Sequence, residues 1–251
     1  MSDLQRFYDW IGRAPSLFEL HEPMVDLQHL PHTHHPLEPY QGNSRLGFLY
    51  QHLCTEKLSH SDRYQLELQE VQIQAPTGQT IGAIDLILRD TQLNQFEHWE
   101  VAIKFYLLHQ SLWYGPNARD RLDKKLKRML SHQLAMSSTD IFCARYPHLT
   151  NITERLLIQG RLYTNPFEPE TIPKHCLGYE LNPSQINGFW CYQHRFHQID
   201  QPLYRLEKPL WACGRTDFTQ PIASPTGRFT HAQTRDGVFW FIVRDCWPND
   251  R

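Results

Sequence analysis

The 251-residue chain lacks any Cys-x-x-Cys pair: its six cysteines, Cys54, Cys143, Cys176, Cys191, Cys213 and Cys246, stand apart. Such spacing offers neither a zinc ribbon nor a thioredoxin-like redox site. A chain this long can bury a core without staples, so reduced thiols are expected. No apolar stretch approaches the ~20 residues of a membrane span. The start, Met1-Ser2-Asp3-Leu4-Gln5-Arg6, has neither the basic opening nor the apolar core of a leader. A cytoplasmic protein with no membrane partner is therefore expected. Internal repeats and low-complexity tracts are also missing, which argues against a solenoid or array. Nor is there a basic excess: the formal net charge is −2. Any nucleic-acid role must then rest on where the cations lie rather than on their sum.

What the chain does have is charge where apolar residues belong. Two neighbouring runs, Thr80-Ile81-Gly82-Ala83-Ile84-Asp85-Leu86-Ile87-Leu88 and His98-Trp99-Glu100-Val101-Ala102-Ile103-Lys104-Phe105-Tyr106-Leu107-Leu108, read as strands buried on both faces. An unpaired charge in such a strand costs several kcal/mol or is driven neutral. Side chains alternate along a strand, so Glu100, Ala102 and Lys104 share one face and Val101, Ile103 and Phe105 the other. The polar link from Arg89 to Glu97 is short enough for an antiparallel hairpin, which would bring Asp85 near Glu100 and Lys104. Two carboxylates and one ammonium leave a single negative charge, which a hydrated divalent cation would balance. A buried Asp85–Lys104 salt bridge that selects strand register is the alternative.

The flanking elements suggest a sheet between helices. Leu4 to Gly12 reads as a short amphipathic helix ended by its glycine, and Ser44 as the cap of a helix reaching about Leu58. Tyr64 to Gln74 alternates as a half-exposed strand with a phase slip near Glu70, and Pro76-Thr77-Gly78-Gln79 turns the chain into the Asp85 strand. Between Arg119 and Arg128 six cations face two acids. Leu122, Leu126, Met129 or Leu130, and Leu134 recur at helical spacing, so one stripe should face a core. The outward face would then carry Arg121, Lys124, Lys125, Lys127 and Arg128, suited either to a phosphate backbone or simply to solvent. A strand over Arg155 to Tyr163 follows, able to pair in parallel after the helical crossover.

Two regions are less regular. Between Glu22 and Gly42 the prolines at 23, 31, 36 and 39 accompany His29, His32, His34 and His35. No cysteine or acid stands at ligand spacing with these histidines, so a loop is expected rather than a metal centre. Beyond about Thr164 the sequence becomes rich in proline and aromatics. Phe189-Trp190-Cys191-Tyr192-Gln193-His194-Arg195-Phe196 reads either as core or as a stacking platform for bases. Val238 to Val243 is the clearest strand there, after the turn Thr234-Arg235-Asp236-Gly237.

The order helix, strand, strand with Asp85, strand with Glu100 and Lys104, helix resembles the core of the PD-(D/E)XK nuclease-like superfamily. More narrowly, Arg45-Leu46-Gly47, the Thr80–Asp85 segment, Trp99 to Leu107 and Gly115-Pro116-Asn117 resemble the DUF1853 family, which is grouped with it. The resemblance implies an α/β restriction-endonuclease-like core, a mixed central sheet flanked by helices, over residues 1–163. Residues 164–251 would form a C-terminal β-rich appendage packed on it. It also implies hydrolysis of DNA or RNA with Mg²⁺ or Mn²⁺. Asp85 and Glu100 would be the ligands, Lys104 would orient the water or offset charge on phosphorus, and Gln133 would be a further polar group. In the usual pattern an acid stands two residues before the lysine, where this chain has Ala102; Glu100 lies one pleat earlier on the same face, ~7 Å away at ~3.3 Å per residue. A catalytically silent module that binds nucleic acid or protein is the alternative. A cysteine or serine nucleophile has no recognisable turn to sit on.

Overall fold

The computed structural model describes residues 1–30 and 37–249. The elements are α1 (Asp3–Arg13), α2 (Leu46–Ser59), β1 (Tyr64–Gln74), β2 (Thr80–Asp90), β3 (Gln95–His109), β4 (Leu112–Tyr114), α3 (Leu122–Arg128), α4 (Asp140–Arg145), β5 (Thr153–Thr164), β6 (His175–Cys176), β7 (Tyr179–Glu180), β8 (Ile186–Tyr192), β9 (Tyr204–Arg205), α5 (Leu210–Cys213), β10 (Phe229–Gln233) and β11 (Phe239–Val243). One mixed sheet runs β1-β2-β3-β5-β8-β11-β10-β9, with β4 added to β3; β6 and β7 form a separate small ribbon.

Strand β3 is the axis of the molecule, and its alternation is the one expected. Trp99, Val101, Ile103, Phe105 and Leu107 join the apolar cluster that includes Phe7, Ile11, Tyr50 and Leu53 of α1 and α2. Ala102, Tyr106 and Leu108 join the cluster of Leu122, Leu126, Met129 and Leu134. Each fully buried aliphatic side chain there contributes ~1.5–3 kcal/mol. On one side β5 pairs with β3 in parallel from Glu97↔Thr153 to Leu107↔Tyr163. Gly160 makes that pairing possible: its φ is +147°, and a Cβ there would sit 1.7 Å from the Lys104 carbonyl oxygen.

On the other side the ladder is short. β2 pairs with β3 only from Asp90↔Gln95 to Leu86↔Trp99. The remainder of β2 stays with β1, through Val71↔Ile84 to Gln74↔Thr80. The two strands leave β3 together, and the fork opens where Asp85 would next face Glu100.

Several expectations need correction. Gly12 does not end α1; it lies inside the helix, where an added Cβ would meet Lys57 Nζ at 3.0 Å, and the chain leaves the helix at Ala14. Ser44 does not cap α2, whose N-cap is Arg45 with no side-chain cap bond. The register slips in β1 fall between Leu66 and Leu68 and between Ile73 and Gln74; the register is the same on either side of Glu70, whose φ of +51° marks a local irregularity. The basic helix begins at Leu122 rather than Arg119; beyond Arg128 it widens into a π turn over 129–133 and tightens into a 3-10 turn over 134–138. The C-terminal strands do not form an appendage laid on a core. Through β5–β8 and β8–β11 parallel pairing they extend the same sheet.

Trp190 and Cys191 are buried in that extension, whereas Phe189 is exposed beside Trp240, His194 is exposed, and Tyr192 and Phe196 are half-buried, so the aromatic run is core at its centre and surface at its ends. The six cysteines are free. Among the described residues no helix is long and apolar enough to cross a membrane. His29 packs edge-on against Tyr64, and His32, His34 and His35 lie outside the described residues. Among the described residues no three His, Cys, Asp or Glu side chains are grouped to hold a metal ion.

Candidate active site

Asp85 and Glu100 meet at the fork. With the ladder ended, the Val101 N–H would be left unpaired, and Asp85 Oδ2 accepts from it at 3.1 Å. The Glu100 carboxyl lies against both the backbone and the side chain of Asp85. Asp85 is half-buried, whereas Glu100 is 0% exposed. Burial first, and then the Glu100 charge, push the Asp85 carboxyl up to about 7. Burial also pushes Glu100 up to about 7, against the pull of hydrogen bonds from Asp85 and Gln133 and the charge of Lys125. Groups this close lose protons as a pair.

A polar shell fixes Glu100. Its Oε2 accepts from Gln133 Nε2 at 2.5 Å, and Gln133 Oε1 in turn accepts from Lys125 Nζ at 2.8 Å. The π turn carries Gln133 at its end; such widened turns recur at functional sites. Oε1 lies 3.2 Å from His98 Nε2, while His98 Nδ1 is 2.9 Å from Ser137 Oγ and 3.1 Å from the Leu134 carbonyl. Burial lowers His98 to about 4, so the imidazole is neutral near pH 7. Two bare lone pairs cannot face each other at that distance, so one proton lies between the ring and Glu100. With Nδ1–H donating to the Leu134 carbonyl, Nε2 accepts from a protonated Glu100; when Glu100 ionises, Nε2–H donates to it and Nδ1 accepts from Ser137 Oγ–H.

Lys104 lines the same hollow as Asp85, as the strand pattern places it, but its charge is given to a different acid. Its ammonium bonds Asp120 Oδ2 at 2.8 Å, and the same oxygen accepts from Tyr106 OH at 3.0 Å. Lys104 therefore spends its charge pinning the loop after β4. Lys125 stands in its place: half-buried, bonded to the neutral Gln133, and facing both carboxylates. Burial and then the neighbouring Lys104 lower its pKa, while Glu100 and Asp85 hold it up. The basic helix thus does not turn all its cations outward. Lys124, Lys127 and Arg128 are exposed, and Arg121 is tied to Asp123 across 2.5 Å.

The fork frames a hollow of about 340 Å³ lined by Asp85, Val101, Ala102, Ile103, Lys104, Lys125 and Gln133, with Arg45, Gly47, Phe48 and Gln51 of α2 opposite. Asp85 reaches it directly and Glu100 stands behind. The Asp85 and Glu100 carboxylates are hard oxygen donors of the kind a Mg²⁺ or Mn²⁺ ion takes, while the Gln133 oxygen is already held by Lys125. A second hollow of about 310 Å³, beside Phe167, Phe189 and Trp240, contains Asp200 as its one ionisable group.

Sequence reasoning reached Asp85, Glu100 and Gln133. It missed His98, although its place two residues before Glu100 puts it on the same strand face. It also missed Asp120, and the inward turn of Lys125, for which helical phase was the one signal. No curated protein and no solved structure matches the chain. The family model described as Domain of unknown function (DUF1853) matches residues 7–226. The chain therefore belongs to the DUF1853 family.

Proposed function

We propose that the protein is a Mg²⁺- or Mn²⁺-dependent hydrolase of phosphodiester bonds in DNA or RNA, built on a restriction-endonuclease-like core of the PD-(D/E)XK type. The observation that carries this reading is the Asp85–Glu100 pair, Asp85 lining the hollow and Glu100 directly behind it, with no guanidinium or ammonium in ion-pair contact among the described residues. Asp85 would hold the ion, with Glu100 contributing directly or through water. A bound divalent ion there would polarise a phosphoryl oxygen and acidify an attacking water. Gln133 and His98 orient Glu100 and keep its oxygens aimed at the fork. Lys125 offsets negative charge on the phosphoryl oxygens in a site where little water screens it. Lys104, through Asp120, holds the rim.

A silent binding module remains the second reading, favoured by Ala102 and by the full burial of Glu100. The test is cleavage of single-stranded, duplex and structured DNA and RNA with Mn²⁺ by wild type, Asp85→Asn and Glu100→Gln. Both variants are expected to lose at least ~100-fold, the scale of removing one preorganised charged group. Equal activity in wild type and Asp85→Asn overturns the mechanism. Binding without cleavage in every protein selects the module.

A further inference from the structure

The wall opposite Asp85 is formed by one face of α2. Arg45, Phe48 and Gln51 recur at three-residue spacing, and Gly47 lies beside them; all four line the hollow. Phe48 is 42% exposed and joins none of the apolar clusters among the described residues. Single exposed apolar side chains are ordinary. This one, however, lines the same hollow as Asp85 and Lys125. Arg45 is exposed, and its guanidinium has no hydrogen-bond or ion-pair partner among the described residues. Gly47 is not required for packing, since a Cβ built there meets nothing within 4 Å. The helix thus offers an aromatic face, a free cation and open space at the same mouth.

We infer that the site takes a single-stranded segment of nucleic acid, one base stacked on Phe48 and the adjoining phosphate between Arg45 and Lys125, close to Asp85. In a duplex each internal base face is covered by its neighbours, so a side-chain ring stacks on a base that has left the helix. Stacking on an aromatic ring tolerates any base, which fits a site with few groups placed to read base edges. The exposed Lys124, Lys127 and Arg128, on the same helix as Lys125, supply charge complementary to the rest of the strand. This inference names the substrate class of the site proposed above and rests on that placement of the phosphate.

The test is fluorescence anisotropy of a labelled short oligothymidylate and of a blunt duplex of the same length, in low salt with Ca²⁺ to separate binding from turnover. The single strand is expected to bind at least ~10-fold more tightly than the duplex. Phe48→Ala should weaken strand binding by ~10-fold, and Phe48→Trp should retain it. Gly47→Leu should weaken binding similarly while leaving the Tm unchanged or raised, since leucine favours the helix. Duplex binding as tight as strand binding, or Phe48→Ala equal to wild type, overturns the inference. Cleavage with Mn²⁺ is read separately. Phe48-dependent strand binding without cleavage leaves the inference standing and removes the hydrolase. Cleavage indifferent to Phe48 does the reverse.

Discussion

The two ends of the β2–β3 hairpin treat buried acids in opposite ways. At the closed end Asp90 meets Arg63 at 2.7 Å and the N–H groups of Gln92 and Leu93, and Glu97 meets Arg155 at 3.0 Å and the Trp99 indole. Burial raises Asp90, but the Arg63 hydrogen bond and the backbone donors outweigh it and hold the carboxyl below its usual range. At the open end Asp85 and Glu100 face each other with no such cation, and both are pushed up to about 7. The fold clearly can neutralise an acid between these strands. It does so at the turn and not at the fork. Acids left uncompensated beside a hollow are where perturbed pKa values point to function rather than to architecture.

Breaking the closed end should have the largest effect on stability. Arg63→Met strands Asp90 beneath the turn and is expected to cost ~3 kcal/mol in chemical denaturation. Mn²⁺ affinity, measured by calorimetry, should not change. The open end should respond in the opposite direction. Asp85→Asn removes one of two repelling groups and is expected to raise stability at pH 8 by ~1–2 kcal/mol. A loss of that size would make Asp85 a structural residue.

The pH profile sharpens the contrast. Carboxyls whose folded pKa is about 7 stay protonated in the fold while the unfolded chain ionises near ~4. Stability contributed by the open pair is therefore present below ~pH 4 and is lost as pH rises toward 7. Asp90 is depressed, so its contribution is present above ~pH 4 and lost as pH falls through its folded value. Unfolding in denaturant across pH 3–8 should show Asp85→Asn flattening the upper limb and Arg63→Met flattening the acid limb. Saturating Mn²⁺ should raise the wild-type Tm by a few degrees through mass action and leave Asp85→Asn unmoved. The smallest effect separates the lysines. Lys125→Met should tighten Mn²⁺ binding a few-fold by removing a cation that faces the pair, whereas Lys104→Met, whose charge Asp120 already balances, should change it less than ~2-fold.

Much of this site was readable along the chain because strand geometry is nearly deterministic. Period-two alternation puts Glu100 and Ala102 on one face, and a short hairpin link leaves few registers that bring Asp85 opposite Glu100. The leucine stripe of the basic helix was readable for the same reason. Assigning Lys104 to the carboxylates failed because its long side chain can turn to either of two acids, and Asp120 arrives from a loop whose path no periodicity encodes. The C-terminal strands were misplaced because proline-rich breaks resemble a domain boundary, whereas the pairing that carries the sheet onward joins β5 to β8 and β8 to β11 across distant sequence.

Sequence alone determined which acids lie between the central strands, since burial and alternation follow from local pattern. Tertiary structure alone decided which cation each acid receives. Arg63 and Arg155 close one end, while at the other α3 brings Lys125 and the π turn brings Gln133, and Lys104 gives its charge to Asp120. Flexible charged side chains find their partners through the three-dimensional arrangement of loops and helix turns, and no one-dimensional period records that arrangement.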